Sequence, residues 1–207
     1  MTAVDAGGPV VTGPPPDFQG TVQRIPADLR QLMVGDLWHR GCPVPIRKLR
    51  LLTLDYYDFD GVIRDGYLVV HRKEAGEVLA VFEVLYDRSF PMERVVAHEE
   101  FAADDEKYDR HNVTSAFNCR TIVGGSSNWS QHAYGLAVDV NPVQNPYVNG
   151  HNVIPREGRT YRDRSQDLPG MIHKGDFVVH AFRTIGWKWG GNWNSLKDYM
   201  HFSENGH

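Results

Sequence analysis

The chain has 207 residues, of which 41% are hydrophobic and 23% charged, with a formal net charge of −4. That length suits one domain with one main core and an N-terminal extension. The acidic balance gives no reason to expect nucleic acid as a partner, and no run of about 18 apolar residues is present to span a membrane.

Residues 1–20, MTAVDAGGPVVTGPPPDFQG, are rich in Gly and Pro and read as a flexible segment ahead of a domain over residues 21–207. They lack the basic and apolar regions of a signal peptide. IPADLRQLM follows as a short helix, with Pro26 in its first turn and Leu29, Leu32 and Met33 on one face. LRLLTLDYY, residues 49–57, and GYLVV, residues 66–70, have strand composition, and DFDG between them supplies turn chemistry. In EVLAVFEVLY the residues Val78, Val81, Phe82 and Leu85 repeat at helical spacing, which predicts one buried stripe. RVVAH, CRTIV and LAVDV are short β-prone runs. Residues 141–170, dense in Asn, Pro, Gly and Arg, predict a long irregular loop. A last helix is expected from about Asp176, with Phe177, Val178, Ala181, Phe182 and Ile185 inward and Gly186 ending it. Strands and helices mix without βαβ alternation, so the expected class is α+β, mainly antiparallel sheet with helices packed against it.

Several familiar catalytic signals fail. His98-Glu99 has Ala102 where a second histidine would complete HExxH, and GGSSN, residues 124–128, misses the final glycine of a nucleophile elbow. There is no P-loop and no GxGxxG. Cys42 and Cys119 are too far apart for a CxxC pair and leave two readings, two buried thiols or one disulfide.

SQHAYGLAVDVNP, residues 130–142, is more informative. His132 stands seven residues before Asp139, with Ala133, Gly135 and Ala137 among the residues between them. As a strand, LAVDV points Ala137 and Asp139 to one face and Val138 and Val140 into the core. Gly135 permits a bend that turns His132 back toward the Asp139 carboxylate. A histidine and a carboxylate converging on a cleared space suit a divalent ion such as zinc, and equally suit a plain Asp–His hydrogen bond in a turn. A catalytic zinc takes three protein ligands, and Asp198 three residues before His201 offers one more ligand and one free carboxylate.

Together, Ser130, His132, Gly135, Ala137 and Asp139 in S-x-H-x-x-G-x-A-x-D, then Asp198 and His201 in D-x-x-H, resemble the zinc D,D-carboxypeptidase family. That family includes the D-Ala-D-Ala dipeptidases of vancomycin resistance, D-alanyl-D-alanine carboxypeptidases and L-alanyl-D-glutamate endopeptidases. The similarity extends through FNCR, residues 117–120, NPVQNPYV, residues 141–148, and GWKWGGNW, residues 186–193. The resemblance implies a D,D-peptidase/Hedgehog type of fold and a zinc metallopeptidase acting on peptidoglycan stem peptides. It implies His132, Asp139 and His201 as zinc ligands, Asp198 as general base, and Arg120 as the cation that meets substrate or oxyanion. Ser130 and Trp193 are implied as substrate contacts, Ser130 also through loop geometry. Trp187, Trp189 and Trp193 are candidates either for the cleft wall or for the core. The dipeptidases carry glutamate where this chain has Asp198, and aspartate is the form of the endopeptidase branch. The chain is further expected to be an extracytoplasmic monomer, with Cys42 and Cys119 joined in that oxidising setting. The rival reading is a non-catalytic zinc module that binds wall peptide or a protein partner.

Overall fold

The computed structural model describes residues 16–97, 109–122 and 127–207. Two long strands form its backbone. β2 (Leu49–Tyr57) and β3 (Ile63–His71) pair antiparallel over their full length, and β1 (Gly20–Gln23) adds to the free edge of β2. Side-chain alternation makes this hairpin a wall between two apolar clusters. Leu52, Leu54, Tyr56, Leu68 and Val70 enter one cluster, whereas Leu49, Leu51 and Val69 enter the other.

The larger cluster is closed by two helices. α2 (Ala75–Asp87) presents Val78, Val81, Phe82 and Leu85, the stripe that its sequence spacing predicts. α3 (Phe177–Thr184) presents Val178, Ala181 and Phe182, and Gly186, at φ +81°, turns the chain away after it. The smaller cluster takes Met33 from α1 (Ala27–Met33), together with Leu37, Phe117 and Cys119. Leu32, expected to share the inward face of α1, is instead 58% exposed, because a seven-residue helix buries only a narrow stripe here.

The remaining strands are short. β4 (Arg94–Val95) and β5 (Val113–Thr114) pair in parallel. β6 (Ala137–Asp139), β11 (His201–Ser203) and β9 (Lys188–Trp189) form one antiparallel sheet with β11 in the centre. β7 (Tyr147–Asn149), β8 (Asn152–Ile154) and β10 (Lys197–Asp198) form another, with β7 central. The class is thus mixed α and β with mainly antiparallel sheets. No helix among the described residues is long and apolar enough to cross a membrane.

Three expectations change. Residues 141–170 are not an irregular loop: they hold the β7–β8 hairpin and a 3-10 turn over Arg156–Arg162. Their Asn- and Gly-rich composition reflects the turns, whereas the strands are fixed by the pairing of β7 with β8 on one side and β10 on the other. Among the described residues, CRTIV forms no strand, only a single bridge between Thr121 and Trp129, and RVVAH contributes only the strand Arg94–Val95. Of the N-terminal segment 1–20, residues 1–15 lie outside the described residues, as does His98-Glu99. Phe18 packs on Tyr86, whose hydroxyl donates to the Pro16 carbonyl at 2.8 Å.

Cys42 and Cys119 are joined by a disulfide across a sequence separation of 77. The bridge ties the segment after α1 to the segment that presents Arg120. Replacing both cysteines with serine is expected to lower stability by about 4 kcal/mol, the chain-entropy value for a loop of this length. Denaturant midpoints of the two proteins measure it, and equal midpoints would show that the bridge contributes nothing.

Candidate metal centre and active site

Sheet register brings the candidate ligands together. In the β6–β11 ladder Asp139 lies directly opposite His201, so their side chains emerge side by side on one face. His132 arrives from a 3-10 turn, Gln131–Tyr134, immediately before β6. Ser130 caps that turn by accepting the His132 backbone N–H at 3.3 Å. Gly135 ends it at φ +67°, and its carbonyl accepts the His71 N–H at 2.8 Å. A Cβ at Gly135 would stand 2.7 Å from the His71 nitrogen. Gly135→Ala therefore combines a left-handed backbone with a backbone clash. It is expected to cost about 1–3 kcal/mol and to weaken metal binding by moving His132. Thermal unfolding and chelator competition test the two effects separately.

The donor atoms converge. His132 Nε2 lies 3.0 Å from Asp139 Oδ2, His201 Nδ1 lies 3.0 Å from Asp139 Oδ1, and the two ring nitrogens are 3.3 Å apart. All three residues are buried. Burial opposes charge on Asp139, but His132 and then His201 outweigh it and hold the carboxyl well below its usual range.

These residues fit zinc on two counts. Four tetrahedral bonds of ~2.0–2.1 Å set ligand atoms about 3.3 Å apart, close to the spacings found. The second count is proton placement. His132 Nδ1 lies 2.5 Å from the Ala116 carbonyl, which only accepts, so Nδ1 carries the proton. Nε2 then meets the carboxylate either as the N–H donor of an imidazolium or, in the neutral ring, through a cation held between them. His201 likewise turns Nδ1 toward the cluster, and its Nε2 is enclosed with no hydrogen-bond partner among the described residues.

Asp198 stands beside this cluster rather than in it. It ends β10, where it pairs with Tyr147 of β7, and three residues later the chain enters β11 at His201. The hairpin in residues 141–170 thus supports the strand that presents Asp198. Gly190 allows the neighbouring turn to lie flat on that strand, since a Cβ there would come within 2.5 Å of the Asp198 carbonyl. The Asp198 Oδ1 is enclosed and accepts no hydrogen bond among the described residues. Burial pushes its carboxyl up to about 7, with Asp139 adding to the rise and His201 and Arg120 opposing it. A carboxyl poised near neutrality is suited both to take and to return a proton.

Arg120 is half-buried and close enough to stabilise a charge on Asp198; one of its guanidinium nitrogens donates to the Thr121 carbonyl at 3.4 Å. Of the three tryptophans, Trp187 and Trp189 belong to the core, whereas Trp193 stays partly exposed with its ring 5.8 Å from that of His201. Its indole N–H donates to the Gly206 carbonyl at 2.7 Å, which fixes the ring beside His201. A second convergent group, His39, Cys42 and Cys119, offers no thiolate, because both sulfurs are in the disulfide.

Sequence reasoning missed Arg164. Its guanidinium donates to the carbonyls of Gln144, Tyr161 and Ile172 and to Asn145 Oδ1, and it lies 4.5 Å over the Tyr199 ring. Burial pushes its pKa down to about 10. It pins residues 144–172 against the corner between Asp198 and His201. Three of these four acceptors are backbone carbonyls, which leave no trace in sequence.

Residues 124–204 match the family model described as D-alanyl-D-alanine carboxypeptidase. That stretch contains Ser130, His132, Asp139, Trp193, Asp198 and His201; Arg120 precedes it. The chain is also similar to the peptidoglycan L-alanyl-D-glutamate endopeptidase CwlK of Bacillus subtilis (strain 168), with 30% identity over 103 residues. The alignment covers 49% of this chain and 53% of that protein, so the chain spans about half the length of the curated relative it matches. Residues 124–204, which carry both histidines and both carboxylates of the cluster, are thus similar to the D-alanyl-D-alanine carboxypeptidase family.

Proposed function

We propose that residues 21–207 form a zinc peptidase domain that hydrolyses peptide bonds in peptidoglycan stem peptides. His132, Asp139 and His201 would hold the ion, Asp198 is the general base, and Arg120 meets the substrate. The observation that carries this reading is the enclosed Asp198 Oδ1, which accepts no hydrogen bond among the described residues, beside a convergent His–Asp–His set. A site with only a structural metal has no use for such a group. The family description and the relative's name support the substrate class, since D-alanyl-D-alanine and L-alanyl-D-glutamate bonds both belong to the stem peptide. We place the fold with the D,D-peptidase/Hedgehog type and the protein outside the cytoplasm as a monomer, which accords with the disulfide.

When bound at these residues, zinc would act as a Lewis acid toward the scissile carbonyl and bring the pKa of a water near ~7. Asp198 takes the proton from the attacking water and delivers it to the leaving amine. The Arg120 guanidinium faces the negative oxygen that develops, and its fork also suits a carboxylate. Ser130 and Gly135 hold His132 in place, the Ala116 carbonyl fixes its tautomer, and Trp193 walls the cleft next to His201.

Carboxypeptidase and endopeptidase action differ in whether the terminal carboxylate is read. Comparing a stem pentapeptide with a free and with an amidated C-terminus, with products identified by mass, separates them. Loss of cleavage on amidation assigns a carboxypeptidase, and unchanged cleavage at an internal bond assigns an endopeptidase. If neither peptide is cut by zinc-loaded protein, the non-catalytic module replaces this reading.

A further inference from the structure

At the opposite end of the β2–β3 hairpin from its tight turn lies a cleft of about 400 Å³. Arg24, Arg30, Arg47, Arg50 and Arg72 line it, from the end of β1, from α1, from the turn Ile46–Lys48, from β2 and from just after β3. Its floor is apolar: Ile46 and Leu49 lie buried beneath it and Ile25 is partly exposed. No lining residue is acidic, and no ion pair joins any of these five guanidinium groups to a carboxylate among the described residues. Arg50 is fixed in place by donating to the carbonyls of Arg47 and Leu49 at 3.1 and 2.8 Å.

A basic face that is merely solvated usually has acids interspersed, and this chain has more Asp and Glu than Lys and Arg, 26 against 22. Drawing five like charges into one concavity without a counter-charge sets up a focused positive field. An anion resolves the repulsion. A single carboxylate satisfies one fork, whereas a chain of phosphodiesters repeats a pair of unesterified oxygens at every link and can occupy several forks at once. The apolar floor adds a second requirement, a short carbon linker that can lie against Ile25, the exposed part of that floor.

We propose that this cleft binds a polyol-phosphate anion, its phosphate groups on the arginine forks and its carbon linker on the apolar floor. Leu49 connects the cleft to the candidate active site, because its Cδ2 lies 3.1 Å from where a Gly135 Cβ would stand, and Gly135 ends the turn that carries His132. The occupant therefore sits behind that turn, not in the catalytic cleft. A wall polymer with a phosphodiester backbone would hold the enzyme beside its stem peptides, and this part alone rests on the proposed function.

Titration with a soluble glycerol-phosphate oligomer at low salt tests the site. Inorganic tripolyphosphate, poly-glutamate and a single-stranded oligonucleotide serve as competing anions. The oligomer should bind best, and Arg47→Ala combined with Arg72→Ala should weaken it by about tenfold or more. Arg72→Lys keeps the charge but loses the fork, and should weaken it measurably. Zinc content and cleavage of a soluble stem peptide should be unchanged, so failure here is distinct from failure of the peptidase reading. If the double variant does not fold, Arg24→Gln makes the same comparison from an exposed position. Absence of oligomer binding, binding that survives the substitutions, or equal or tighter binding of any competing anion would overturn the proposal. Intact sacculi with and without their phosphate polymers then separate a wall-bound source from a soluble one.

Discussion

Replacing Asp198 with alanine is expected to leave zinc content unchanged while lowering turnover by about 10²–10⁴-fold, the usual loss for a general base. The structure separates the two properties, because the Asp198 carboxylate lies outside the three mutually close donor atoms of His132, Asp139 and His201. Asp198→Asn should lose activity to a similar extent, since the amide keeps the shape but accepts no proton. Zinc analysis and turnover on the same preparations decide the matter. Loss of zinc together with activity in Asp198→Ala would make Asp198 a ligand and remove its assignment as base.

His201→Ala is expected to have the broader effect, with zinc and turnover falling together. The substitution removes one of three donors and leaves the buried Asp139 carboxylate with a single imidazole. Wild type and variant, loaded and washed identically, should differ from about one zinc per chain to background. Acidification should release the ion from the wild type as well, because the imidazoles ligate only when neutral. Equal zinc content in the two proteins would reject the ligand assignment.

Legibility in the sequence followed the range of the interactions. The α2 stripe of Val78, Val81, Phe82 and Leu85 is local, so spacing alone placed it. LAVDV was readable for the same reason, and so was Gly186 as the end of α3. The β7–β8–β10 sheet was not, because its strands have two or three residues each and β10 joins the β7–β8 hairpin only by pairing across about 50 positions of chain. That pairing turns a segment expected to be irregular into the support of Asp198. The zinc-site candidates were singled out by residue type and by family resemblance, whereas their convergence depends on the β6–β11 register, which no local pattern encodes. Composition likewise concealed the arginine cleft. Its residues are scattered from Arg24 to Arg72, and only the β1–β2–β3 arrangement and α1 gather them.

The most direct test is mass analysis of stem peptides in purified peptidoglycan incubated with zinc-loaded protein, with chelated protein, and with chelated protein after zinc is returned. The expected result is cleavage of one type of stem bond that disappears on chelation and returns with zinc. Intact stem peptides after incubation with protein carrying one zinc per chain would contradict it.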